Sequence, residues 1–109
     1  MTPTQIAWAA GLFEGEGCMT YRDKEHKRPY LKINMTDFDI VERFQQLVGC
    51  GSLTFVDKKK ENPKWKHQLL WRTTNKHDVR RILDLLLPYF GDRRAHKALD
   101  ILDQLELAT

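Results

Sequence analysis

The apolar positions change period several times along the chain, and each change marks an element. Ile6, Ala7, Ala10, Gly11 and Phe13 recur at helical spacing, as on a helix with one buried side. Thr2 precedes Pro3 and stands three residues before Gln5, which predicts a capping box with Pro3 in the first turn. Gly15 and Gly17 are expected to stop this helix. The period then drops to two. Met19 and Tyr21 alternate with Cys18, Thr20 and Arg22, and Leu31, Ile33 and Met35 alternate with Tyr30, Lys32 and Asn34. The stretches 18–22 and 30–35 therefore read as a hairpin with one apolar face and one polar, basic face.

Thr36-Asp37-Phe38-Asp39 opens a second helix, whose stripe is Ile40, Val41, Phe44 and Leu47 and whose end is Gly49-Cys50-Gly51. A second hairpin follows, 52–56 and 66–73, around a lysine-rich loop with Asn62-Pro63 at the bend. Adjacent Leu69 and Leu70 break its alternation. Asn75 caps a third helix, with Asp78 at its third position and Val79, Ile82, Leu83, Leu86 and Leu87 leading to Tyr89; Gly91 closes it. A last helix from about Arg93 carries Leu99, Leu102 and Leu105. The order αββαββαα predicts one α+β domain over residues 1–109. Its four-stranded antiparallel sheet has helices on the apolar face and an open polar face.

Composition narrows the function. With 30% charged and 41% hydrophobic residues, the chain fits neither a disordered segment nor a membrane span. Met1-Thr2-Pro3 starts no signal peptide, and two cysteines make no disulfide framework, so a reducing cytoplasmic or organellar compartment is expected. Eighteen Lys and Arg against 15 Asp and Glu give a net charge of +3, but the excess is concentrated. One run holds Arg22, Lys24, Lys27, Arg28 and Lys32; the other holds Lys58, Lys59, Lys60, Lys64, Lys66 and Arg72, with Trp65, His67 and Trp71 interleaved. Basic runs in both hairpins point to a face that binds a polyanion. A polar sheet face between basic loops suits a duplex groove.

The stretch Ala9-Ala10-Gly11-Leu12-Phe13-Glu14-Gly15-Glu16-Gly17 carries the chemistry. Ala7, Ala10 and Gly11 form a stripe of small side chains that admits a close helix neighbour. Glu16 is expected just past the helix end, beside unpaired carbonyls. That spot disfavours a lone carboxylate and favours one sharing a divalent cation. An exposed acid beside a glycine turn is the plainer reading.

These nine residues resemble the motif of the LAGLIDADG homing endonucleases. Ala10, Gly11 and Leu12 fall on its Ala-Gly-Leu, Glu14 and Glu16 on its two acids, and Gly17 on its final glycine. The element order, Thr36-Asp37, Leu47-Val48-Gly49 and the 85–90 segment extend the likeness over nearly the whole chain. Two positions depart from it: the usual Asp pair is Glu-Glu, and Ala9 stands where Leu is usual.

The resemblance implies a saddle-like sheet and a homodimer whose motif helices pack through Ala7, Ala10, Gly11 and Glu14. It implies site-specific double-strand cleavage of a pseudo-palindromic DNA target by phosphodiester hydrolysis. Glu16 and the Gly15 carbonyl would hold Mg²⁺ at the dimer axis, or Mn²⁺ or Ca²⁺ in its place. Asp37 would orient water, with helix capping its alternative role, and Arg93, or else Arg94, would offset phosphate charge. DNA contacts are expected from Thr20, Arg22, Arg28, Tyr30, Lys32 and Asn34 in the first hairpin. Ser52, Thr54, Lys66, Gln68 and Arg72 are expected from the second. The alternative is a DNA- or RNA-binding protein on the same fold that does not cleave, a maturase or a regulator.

Overall fold

The computed structural model describes residues 1–23 and 28–107, with the backbone alone at 22, 23 and 107. Lys24 and Lys27 of the first basic run lie outside the described residues. The elements are α1 (Pro3–Glu16), β1 (Gly17–Asp23), β2 (Arg28–Met35), α2 (Phe38–Val48), β3 (Ser52–Val56), β4 (Gln68–Thr73), α3 (Lys76–Leu86) and α4 (Asp92–Leu107). Single 3-10 turns lie at Lys58–Lys60 and Leu87–Tyr89. This is the α+β order expected from the periodicity.

All strand pairs are antiparallel, in the order β1-β2-β4-β3, so the two hairpins join through β2 and β4. The register aligns Met19 with Leu31, Leu31 with Thr73, Ile33 with Trp71 and Met35 with Leu69. Directly opposed residues share a face, and this one is buried: Met19, Leu31, Ile33, Leu69, Trp71 and Thr73 are each at most 8% exposed. The broken alternation at 69–70 is thereby settled. Leu69 faces the core, and Leu70 faces outward between Asn34 and Thr54.

The helices lie over the apolar face. Val41, Phe44 and Val48 of α2, four residues of α3 and Phe13 of α1 close the core together with Ala98, Ile101 and Leu105 of α4. Phe44 meets the Trp71 indole edge-on at 4.8 Å, an arrangement aromatic pairs favour. Trp71 Nε1–H donates to the Cys50 carbonyl at 2.8 Å. A Cβ on Gly51 would collide with that same Nε1, and its φ of +87° already lies where glycine is favoured. The tight turn from α2 into β3 thus requires glycine at 51.

Three helix expectations change. In α4 the buried stripe is Ala98, Ile101 and Leu105, while Leu99 is 45% exposed. The third helix turns from α to 3-10 geometry after Leu86. Pro88 has no N–H to continue the ladder and its ring crowds the preceding turn. The first helix runs through Gly15 to Glu16, with the Gly17 N–H donating to the Phe13 carbonyl. Among the described residues no helix is long and apolar enough to cross a membrane.

Candidate functional site

The capping box at the start of α1 forms: Gln5 N–H donates to Thr2 Oγ1 at 3.2 Å, and Thr2 N–H to Gln5 Oε1 at 2.9 Å. From there the helix runs to Glu16, which is therefore the last helical residue and not the first beyond it. β1 begins at once at Gly17, which lies so close to Phe13 that a Cβ would sit 2.5 Å from its ring. Gly17 pairs with Ile33, so the start of β1 and the end of β2 flank one end of the sheet. Asp37 follows two residues after β2.

Glu16 and Asp37 both line an open hollow of about 480 Å³, together with Ala7, Trp8, Gly11, Leu12, Met35 and Ile40. Asp37 occupies the cap position of α2, but its side chain makes no cap hydrogen bond. The capping role expected of it is not realised. Neither carboxylate has a hydrogen bond or ion pair with a described residue. Exposed oxygens on one hollow can accept from water or bind a hard cation.

Glu14 has a different use. Its Oε2 accepts from Arg94 Nε at 3.0 Å, and its Oε1 accepts from the Gly91 N–H. Arg94 also donates to the Glu14 carbonyl at 2.7 Å and the Gly17 carbonyl at 3.0 Å. Its guanidinium lies 5.7 Å from the Phe13 ring centre. A planar, permanently charged fork thus caps the end of α1 from α4. Glu14, expected at a dimer contact, is engaged within its own chain. Arg94 is occupied likewise, which leaves Arg93 as the exposed one of the pair, on a depression that Arg94 and Lys97 also line. Ala10, expected at the same contact, is instead fully buried inside its own chain, whereas Ala7 and Gly11 are exposed.

The Gly91 N–H does most to hold the Glu14 carboxyl below its ordinary value; burial opposes it, and the Arg94 hydrogen bond and charge, with the charge of Arg93, add to the lowering. A lowered folded-state value makes the clamp stabilising above the unfolded carboxyl's value and lost as pH falls through the folded one. Wild type is accordingly expected to melt above Glu14→Gln at neutral pH, with the gap closing in acid. Thermal midpoints across that range check this, and a gap independent of pH contradicts it.

Among the described residues no helix covers the other face of the sheet. In register across it stand Cys18, Lys32, Arg72 and Ser52, then Asn34, Leu70 and Thr54, with Thr20 beside Tyr30 and Gln68 beside Val56. None of these is acidic. Asn34 Oδ1 is buried and has no hydrogen-bond partner among the described residues.

Ten of the eleven expected contact residues fall on strands of this sheet; Lys66 lies in the loop before β4 instead, exposed. Arg22 falls at a bulge, where the β1 register slips between Tyr21 and Asp23. Counting alternate positions stops there, and its side chain is outside the described residues. Leu70, opposite Asn34 and Thr54, and Val56, opposite Gln68, also stand on this face, although apolar residues within a strand suggest the core.

These features define a two-layer α+β fold with helices on one sheet face and an acid ending the first helix at the sheet's rim. No protein-family model matches the chain, and no curated protein matches it in sequence. Solved structures match in shape at low identity. The chain is similar to the homing endonuclease I-CvuI in complex with DNA in the presence of Mg (TM-score 0.71, 18% identity, 94% of this chain and 66% of that one). It is similar to the group I intron-encoded homing endonuclease I-CeuI complexed with DNA (TM-score 0.74, 13% identity, 97% and 56%). The LAGLIDADG meganuclease I-CpaMI bound to uncleaved DNA matches as well (TM-score 0.65, 15% identity, 95% and 38%). The chain thus spans two thirds or less of each of these. Its fold is that of the LAGLIDADG homing endonucleases.

Proposed function

We propose that this chain is a site-specific double-strand DNA endonuclease, acting as a homodimer in a cytoplasmic or organellar compartment. It binds DNA across the open sheet face and hydrolyses phosphodiester bonds beside Glu16. The observation that carries the reading is the pair of carboxylates, Glu16 and Asp37, without a partner among the described residues, on one hollow at the end of a sheet face whose central register rows hold Lys32 and Arg72 and no acid. Arg28, Lys32 and Arg72 supply phosphate attraction, and Thr20, Tyr30, Asn34, Ser52, Thr54 and Gln68 supply groups that can read base edges.

The donor set fits a divalent cation in part. Carboxylate and carbonyl oxygens suit Mg²⁺, and Glu16 with the Gly15 carbonyl would hold it. Among the described residues no three His, Cys, Asp or Glu cluster in one chain. The remaining ligands would come from DNA phosphate oxygens, water and a second copy. I-CvuI complexes formed with Mg and with Ca support this cation class. Such a cation supplies Lewis acidity, lowering the pKa of water and offsetting charge that grows at phosphorus. Around it the chain's own groups act: Asp37 orients the attacking water, and Arg93 neutralises the phosphate.

The homodimer rests on α1. Thr4, Ala7, Gly11 and Gly15 leave a shallow exposed strip along it, and nothing lies within 4 Å of where Gly11 or Gly15 would carry a Cβ. A second α1 laid there brings two copies of Glu16 to a twofold axis, which calls for a roughly palindromic target. A plasmid carrying the candidate site is expected to be linearised with Mg²⁺ and left intact with EDTA. Binding without cleavage in Mg²⁺ supports the non-cleaving maturase or regulator instead.

A further inference from the structure

A second hollow borders the first. It measures about 440 Å³ and is lined by Thr36, Lys58, Lys64, Trp65, Lys66 and Gln68. Thr36 opens onto this hollow and its neighbour Asp37 onto the acidic one. The junction of β2 and α2 is the wall between them.

The loop that builds the hollow is ordered by its own hydrogen bonds. Asp57 Oδ1 accepts from Lys59 N–H at 3.1 Å, and His67 Nδ1 lies 3.2 Å from that same oxygen. Asn62 N–H donates to the Lys58 carbonyl at 3.1 Å. The Asn62 side chain and carbonyl accept from Lys64 N–H and Trp65 N–H, each at 3.0 Å. Trp65 is thereby presented 49% exposed, flanked by lysines in sequence on both sides. Lys58 has an acidic neighbour, Glu61, at 3.9 Å; so exposed a pair contributes little.

Three ammonium groups attract phosphate, which any duplex offers. An exposed indole among them asks for a flat apolar face, which paired bases keep inside their stack. Unstacked bases present that face, and their stacking on aromatic side chains is the recurring way single strands are held. The Thr36 hydroxyl and Gln68 amide beside it can bond a base edge.

We propose that this hollow is a subsite for one unstacked nucleotide, its base on Trp65 and its phosphate among Lys58, Lys64 and Lys66. The subsite draws a strand out beside the acidic hollow, and in that respect it rests on the nuclease reading.

The test needs neither metal nor cleavage. A short oligothymidylate titrated into the full-length chain is expected to quench tryptophan fluorescence to saturation. Trp65→Ala should remove the quench and weaken binding about tenfold, equivalent to about 1.4 kcal/mol. Trp65→Phe should restore part of the affinity, and Lys64→Ala should flatten its salt dependence. Equal affinity in Trp65→Ala, or equal binding of an abasic strand of the same length, overturns the subsite. So does displacement by inorganic polyphosphate at matched charge with an identical quench. Duplex cleavage without oligothymidylate binding overturns the subsite and leaves the nuclease standing. Binding through Trp65 without any cleavage does the reverse.

Discussion

Glu16→Gln is expected to reduce double-strand cleavage by at least about 10²–10³-fold, the usual loss when one preorganised electrostatic group is removed from an active site. Affinity for the same duplex should hold or rise slightly. The substitution keeps the length and shape of the side chain and deletes only its charge. Glu16 has no hydrogen-bond or ion-pair partner among the described residues, so the fold loses nothing. Stability, followed by the thermal midpoint, should change by no more than a neutral surface substitution does, about 0.5 kcal/mol. Single-turnover cleavage in Mg²⁺, run beside a binding titration, separates the two effects. A variant that cuts at the wild-type rate would remove Glu16 from the chemistry.

Gly11→Leu is expected to leave the protomer folded and take the dimer apart. Space is open where the new Cβ would stand, and leucine in place of glycine inside a helix favours it by roughly 0.5–1 kcal/mol. The same bulk prevents a second α1 from approaching to the distance that Ala7 and Gly11 permit. Sedimentation should show a monomer, and double-strand cleavage should disappear while the melting temperature holds or rises. A Gly11→Leu dimer that still cuts would move the interface away from α1.

The features legible in the sequence were those set by local rules. The Thr2–Gln5 capping box and the Asn75 cap follow from side-chain reach alone, and Leu31 and Ile33 declare their face because charged or polar residues alternate with them. The orientation of α1 was not legible in the same way. Ala7, Ala9, Ala10, Gly11, Leu12 and Phe13 offer no polar side to point outward, so the sequence does not say that Ala10 turns inward and Gly11 outward. In α4, leucines at 99, 102 and 105 compete with a stripe of Ala98, Ile101 and Leu105, and packing against α3 and β1 selects the second. Arg93 and Arg94 are adjacent and chemically identical. Only the position of the α1 end distinguishes the arginine that clamps Glu14 from the one left exposed. The Trp65 hollow depends on how an irregular loop closes on itself, for which no periodicity exists.

β3 has a consequence for solubility. It lies at one edge of the sheet, and its core-side residues Leu53 and Phe55 remain 38% and 56% exposed. An apolar edge strand with unpaired backbone groups is a template for pairing with another chain. Lys58, Lys59 and Lys60 follow two residues later in a tight 3-10 turn, setting three like charges where an incoming strand would have to align. The same lysines that attract a polyanion thus act as gatekeepers, and a high-salt buffer that screens them removes both protections at once.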